Sequence, residues 1–298
     1  MTTPVGPARY TWGGDEFLMV EISEAMSLAA NFRVMAIATA LQDNRPDGIL
    51  DLCPANASLL IRFDPDVLDS EALVFQLREI EEAVAQQEGG TLSTRVIEVP
   101  VWYEDPFTAE VGSRFRAGYH QAPEGTDLDY AAAVNGLADK DEFISRHHSQ
   151  PWLVSMVGFV AGLPFMFQLT DQEQQLEVPK YLSPRTDTPR LCVGHGGCFS
   201  VIYSVRGGGG YQMFGVAAAP IFDPHGSTVD FEDTMVLFRP GDIVQFRPVE
   251  QHEYEAIQAE VEAGTFRYRM ADVEFDVAAS LADPTGYNAR IKEALRHA

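Results

Sequence analysis

Apolar residues follow two rhythms along the first hundred positions. Glu16–Ile22 (EFLMVEI), Gly48–Cys53, Ala57–Phe63 and Ser93–Val101 are short runs rich in branched and aromatic side chains. Turn residues bound them, and such runs predict strands. Between them the apolar positions fall at helical spacing. After Ser23, a candidate cap, come Ala25, Leu28, Ala29, Phe32, Met35 and Ala36. After Ser70 come Leu73, Val74, Leu77, Ile80 and Val84, running to about Gln87, with Gly89–Gly90 as the stop. Residues 1–13 read as an irregular lead-in. The order β-α-β-β-α-β predicts a ferredoxin-like domain over residues 10–101, with both helices on one face of a four-stranded antiparallel sheet.

The pattern then changes twice. Residues 102–150 carry three short helical stretches, Thr108–His120, Leu128–Leu137 and Asp141–His148, and read as a helical connector. From Trp152 short strands dominate: Trp152–Val160, Cys198–Val205, Gln212–Val216, Met235–Leu237, Ile243–Pro248 and Thr265–Val277. The segment AGLPFMF (Ala161–Phe167) reads as a turn. Many short strands with glycine and proline corners predict a closed or nearly closed β-barrel over residues 151–280. Glu250–Ala263 reads as a helix, and residues 281–298 as a C-terminal helix. The class is α+β.

Charge narrows the field of partners. The 298 residues carry 21 Lys and Arg against 44 Asp and Glu, a net charge of −23, which argues against nucleic acid and anionic membranes. Three cysteines, Cys53, Cys192 and Cys198, fit reduced cytoplasmic thiols better than a disulfide framework. The start MTTPVGPARYTWGGDE has no apolar leader core, and the longest apolar run, WLVSMVGFVAGLPFMF, is too short and too broken to span a bilayer. A cytoplasmic location is expected.

Candidate chemistry gathers between Pro179 and Gly215. Arg185, Arg190 and Arg206 stand out in an acidic chain, His195 lies among Gly194–Gly197, and Gly207–Gly210 precede Tyr211 and Gln212. The glycines serve either tight barrel corners or a molecule approaching the backbone. Guanidinium forks suit carboxylate, carboxyphosphate or bicarbonate, and an imidazole can exchange a proton near neutrality. Arg185, Arg190 and His195 are therefore expected at one mouth of the barrel, with His195 catalytic. Tyr181, Tyr203, Tyr211 and Gln212 would orient a small polar substrate. Phe165, Met166 and Phe167 would form an apolar wall, or else belong to the core. His147–His148 reads as a structural or surface pair rather than metal ligands, and no zinc spacing occurs. GxxxxGK[ST] and G-x-S-x-G are both absent from the sequence. The chain alone is thus expected to be catalytically silent and to bind no cofactor.

In their order and spacing, several short pieces resemble the KipI family. This family includes the B subunit of 5-oxoprolinase, the first subunit of allophanate hydrolase and a domain of urea carboxylase. The pieces are SLAAN (Ser27–Asn31), GILDLCP (Gly48–Pro54), SLLIRFDP (Ser58–Pro65), VNGL (Val134–Leu137), PRTDTPR (Pro184–Arg190), VGHGG (Val193–Gly197), GGYQMFG (Gly209–Gly215) and RPGDIVQFRP (Arg239–Pro248). The resemblance implies that the barrel is cyclophilin-like. It also implies that the chain is one subunit of an ATP-dependent carboxylase or amide-processing complex, inactive alone. There it would share a substrate site with a homologous second cyclophilin-like subunit, alongside larger ATP-using subunits, with biotin or bicarbonate as further participants. The family name also implies an alternative, a regulatory protein that inhibits a histidine kinase. The stretch Glu104–Asp127 looks more like the carboxylase branch, and acetophenone-carboxylase-type assemblies contain a similar subunit. Departures at GFVAGLPFMF (Gly158–Phe167), at His195 and at GVAAAP (Gly215–Pro220) point to a different substrate.

Overall fold

The computed structural model describes residues 6–86 and 90–298. It divides into two compact units. The first takes the chain up to Ser93 together with Glu274–Asp283, and the second is Thr94–Val273 with Pro284–Ala298.

The first unit contains β1 (Arg9–Trp12), β2 (Phe17–Glu21), α1 (Leu28–Asp43), β3 (Ile49–Pro54), β4 (Ser58–Phe63) and α2 (Ser70–Gln86). Its sheet runs β1-β2-β4-β3, with every pair antiparallel. Alternation along β2 and β4 turns Leu18, Val20, Leu59, Ile61 and Phe63 into one core with Val34, Ile37 and Leu41 of α1 and Leu73 and Leu77 of α2. Ser27, not Ser23, caps α1, accepting from the Ala30 N–H at 3.1 Å. The proposed stop at Gly89 lies outside the described residues.

Two expectations for this unit are corrected. Residues 9–12 form a strand, although they read as lead-in: RYTW is too short to show a period, and pairing with β2, with Tyr10 reaching Glu81 and Trp12 packing on Phe63, stabilises it. The strand expected to complete the sheet, Ser93–Val101, lies elsewhere. It is part of β5 (Thr91–Tyr103), which pairs with two strands of the second unit, and β1 takes its place beside β2. The physical reason is burial. From Val96 to Val101 nearly every side chain is buried, so β5 is covered on both faces.

After β5 come α3 (Pro106–Tyr119), α4 (Asp127–Val134) and α5 (Lys140–Ser149). The strands β6 (Trp152–Val157), β7 (Pro164–Gln168), β8 (Arg185–Thr188), β9 (Cys192–Gly196), β10 (Phe199–Ile202), β11 (Gly207–Gly209), β12 (Gln212–Ala217) and β13 (Ile243–Pro248) follow. The chain ends with α6 (Gln251–Glu262), β14 (Met270–Asp276), α7 (Val277–Ala282) and α8 (Pro284–Arg296). Seven strands close into a barrel in the order β12-β9-β10-β7-β6-β13-β5, sealed by β5 against β12, and β14 extends the sheet from β5. β5 and β13 run parallel, and the other barrel pairs are antiparallel.

Several boundaries move. Pro164–Gln168 is a strand and not a turn, because Met166 faces the core and the backbone pairs on both sides. Met235–Leu237 makes only an isolated bridge, Val236 to Phe222. The second unit begins at Thr94 and includes the helices read as a connector, since α4 and α5 place Leu128, Ala131 and Phe143 in the barrel's core cluster. No described helix is long and apolar enough to cross a membrane.

Candidate functional site

The sequence centred attention on β9, and the fold places its two faces in different surroundings. Met166, Ser200, His195 and Gln212 sit opposite one another across four neighbouring strands. That row points inward. His195 is fully buried, with ring centroids 5.6 Å from Trp152 and 6.3 Å from Phe214. Its Nε2–H donates to the Leu176 carbonyl at 3.0 Å, and Nδ1 has no partner. Burial lowers its pKa to about 4, so the ring is neutral. His147 lies beside it, accepting or donating between Tyr103 Oη at 2.8 Å and Ser200 Oγ at 3.0 Å.

Gly194 and Gly196 are strand glycines rather than loop glycines. A Cβ on Gly196 would lie 2.4 Å from the Tyr211 ring, and one on Gly194 would lie 2.6 Å from the Gln212 carbonyl. They exist so that β12 and its tyrosine can approach. Arg190 is exposed and reaches only the Ser204 and Phe222 carbonyls, at 3.4 and 3.3 Å. Arg185, Arg190 and His195 therefore do not converge at a barrel mouth. Arg185 is in a two-stranded sheet, Arg190 on the surface and His195 in the core.

The remaining candidates do gather, on the other side of β9 and β12. Arg185 is buried, its guanidinium 4.4 Å from the centre of the Tyr181 ring. It donates to the Tyr211 carbonyl at 2.8 Å and to Thr188 Oγ1 at 3.2 Å. The Tyr203 phenol borders the same guanidinium, and burial pushes its pKa up to about 12. Phe165 packs edge-on to Tyr211, with centroids 6.2 Å apart, and Phe165, Tyr203 and Tyr211 share an apolar cluster with Val111 and Phe115 of α3.

Met213, a member of this cluster, also lines a cavity of about 440 Å³ that sequence reasoning missed. Asp105, Thr108, Gly112, Arg116, Asp127 and Met213 line it. Local sequence explains its walls. Asp105–Pro106 starts α3: the Asp105 carboxylate accepts from the Phe107 and Thr108 amides at 2.8 and 2.9 Å and from the Thr108 hydroxyl, with proline at N1. The helix breaks at Gly118, where φ is +82°. A capping box between Thr126 and Asp129 starts α4, leaving Asp127 in its first turn.

Asp127 is the hub. Its carboxylate pairs with Arg116 and accepts from the Tyr181 hydroxyl at 2.8 Å and the Met213 amide at 2.8 Å. Arg116 also donates to the Thr126 carbonyl at 2.9 Å, while its Nε–H has no acceptor. The Asp105 carboxyl is fully buried, and burial raises its pKa against the hydrogen bonds it accepts. Next to the hub, His120 Nδ1 accepts from the Ala122 amide at 2.8 Å. The ring proton therefore sits on Nε2, which donates to Gln212 Oε1 at 2.8 Å, and Gln212 Nε2 donates to the Pro179 carbonyl at 2.8 Å. The visible signals were the two cap motifs, EDP at Glu104–Pro106 and TDLD at Thr126–Asp129. They announce helix starts but give no sign that both starts border one cavity. No group of three or more potential metal ligands occurs among the described residues.

Comparison with known proteins adds a family. The family model described as "Carboxyltransferase domain, subdomain C and D" matches residues 8–231. The 5-oxoprolinase B subunit of Bacillus subtilis (strain 168) is 27% identical over 256 residues, covering 83% of this chain and 95% of that protein. The urea amidolyase of Lachancea kluyveri is 27% identical over 271 residues, 90% of this chain but 15% of its own length. Among solved structures, the K. lactis urea amidolyase aligns over 100% of this chain and 18% of its own, with a TM-score of 0.82 and 26% identity. The Kluyveromyces lactis urea carboxylase gives 0.81 and 25%, with 26% of that chain covered. The chain thus spans almost all of the bacterial protein and a small part of each fungal enzyme.

Proposed function

Because the chain belongs to the carboxyltransferase domain family, subdomains C and D, we propose that it is a non-autonomous subunit of an ATP-dependent carboxylase or amide-processing complex. Its barrel, of the cyclophilin-like kind, supplies half of a substrate site. A homologous barrel subunit supplies the other half, and larger subunits use ATP, with bicarbonate or biotin as carboxyl source or carrier. The chain lacks the glycine-rich phosphate loop GxxxxGK[ST], so nucleotide binding is assigned to the partners.

One observation carries the reading. The cavity pairs a buried carboxyl of raised pKa, Asp105, with a guanidinium N–H that has no acceptor, Arg116 Nε. A neutral amide or ureido group needs both: a donor for its carbonyl oxygen and an acceptor for its N–H. In this reading this half orients the substrate and handles a proton while the partner completes the chemistry.

The test is reconstitution with the ATP-using subunits from the same host, followed by ATP turnover with urea, 5-oxoproline and simple amides. Asp105→Asn keeps the helix cap and removes the titratable group, so kcat should fall about 10²- to 10⁴-fold with assembly intact. Unchanged turnover in the variant overturns the role of the cavity. Stoichiometric binding to a histidine kinase, with no ATP-using partner, overturns the function.

A further inference from the structure

Arg185 is a buried cation whose nearest carboxylates are all engaged by other residues. The residue is 1% exposed, and among the described residues the ion pairs of Asp127 and Asp187 are made with other arginines and none includes Arg185. Asp127, across the Tyr181 ring, is held by Arg116, and Asp187, on the same strand, is held by Arg206 and Arg114. The guanidinium donates to the Tyr211 carbonyl and Thr188 Oγ1, stacks on the Tyr181 ring and adjoins the Tyr203 phenol, and its Nε–H has no acceptor. Buried charges are otherwise paired.

What closes over Arg185 is unusual. β8, which carries it, pairs only with the glycine strand β11 in a separate two-stranded sheet. Gly209 lies opposite Arg185 and must be glycine, since a Cβ there would sit 2.4 Å from the Tyr203 hydroxyl and 2.8 Å from Thr188 Oγ1. The flap is fastened from outside. Asp187 accepts two hydrogen bonds from Arg206 at 2.7 Å, and one from Arg114 of α3 at 2.8 Å. These are surface pairs, which hold weakly.

We propose that the β8–β11 flap covers a second anion seat, separate from the cavity, in which Arg185 takes a planar oxyanion of carboxylate geometry once the Asp187 latch releases. Two cis-facing N–H groups, Nε–H and one Nη–H, match the two oxygens of such an anion. In the closed state the Tyr203 hydroxyl and the bare Gly209 backbone pack tightly over it, so the seat exists only when the flap lifts. Two sources share this chemistry, inorganic bicarbonate and the carboxylate end of an organic molecule.

The test uses the isolated full chain, so its failure leaves the function proposed above standing. Bicarbonate and acetate are titrated separately, following the amide signals of Gly207–Gly210 and the Arg185 Nε–H by NMR. Binding of either anion identifies the source, and binding of neither overturns the seat. Closure taxes affinity by the fraction of open flap, so unlatching must tighten binding. Asp187→Asn and Arg114→Gln should each tighten it about three- to tenfold. The second variant separates the latch from simple electrostatics, because removing a positive charge otherwise weakens anion binding. Weaker binding in Arg114→Gln overturns the latch. Arg185→Lys keeps the charge but loses the fork, and should abolish the Gly207–Gly210 shifts. Shifts that persist unchanged in Arg185→Lys overturn the assignment to Arg185.

Discussion

Removing the Asp127 carboxylate tests whether the cavity wall is held by one residue. Asp127→Ala takes the counter-ion from Arg116 and the acceptor from the Tyr181 hydroxyl and the Met213 amide. The side chains of the pair are 9% and 5% exposed, so water neither screens the interaction nor fills in for the loss. Breaking one partner of a buried pair costs about 3–5 kcal/mol. For a unit of this size that lowers Tm by roughly 10 °C. Much of the cost is the stranded guanidinium. Replacing both partners, Arg116→Met with Asp127→Leu, should therefore be milder than Asp127→Leu alone, because the stranded guanidinium is gone while the unpaired tyrosine hydroxyl and amide are common to both. Urea unfolding of Arg116→Met, Asp127→Leu and the double gives the coupling directly, expected at about 2 kcal/mol. A cost for Asp127→Ala below about 0.5 kcal/mol, in the range of ordinary surface substitutions, or singles that simply add, would refute the hub.

Two further outcomes follow from the barrel itself. His195 is neutral when folded, with a pKa lowered to about 4, so its contribution is whole above the unfolded value near 6.5 and is lost as pH falls toward 4. Between pH 7 and 5, His195→Gln should thus lose about 2 kcal/mol less stability than the parent chain in urea melts, and parallel losses would remove the buried neutral ring as the cause. Gly196→Ala puts a methyl 2.4 Å from the Tyr211 ring and should cost about 1–3 kcal/mol, read as a lower urea midpoint at unchanged slope.

The strands and long helices were legible because burial on one side imposes a period. α2 and β4 show it plainly, and their bounds fall within a residue or two of the pattern. What was not legible is which sheet a strand joins. β5 reads like any apolar run, and its partners β12 and β13 lie more than a hundred residues later. The site divided the same way. Arg185, Tyr181, Tyr203, Tyr211 and Phe165 do form one neighbourhood, since β7, β8 and the turns after β10 and β11 bring them together, whereas Gln212 faces inward beside His195 and reaches His120. His195 misled because glycines on both sides imitate a loop, whereas two of them clear space for β12. Asp105, Arg116 and Asp127 went unnoticed because a cap residue and a functional carboxylate have the same spelling, and only the fold shows where a cap points.

The division of the first unit has a consequence for how the chain emerges from a ribosome. That unit includes Glu274–Asp283, where Phe275 packs against Phe32 with ring centroids 5.4 Å apart and Glu274 accepts from Ser93 Oγ at 2.6 Å. Its last piece is therefore made only after the second unit's Thr94–Val273. The barrel waits as well, because β5 needs β13 to cover one of its edges. Neither unit can finish before these later segments are made, and through that interval the long apolar strand Thr91–Tyr103 stands without its neighbours. Slow elongation should thus expose an aggregation-prone edge for longer, rather than give each part time to fold in turn.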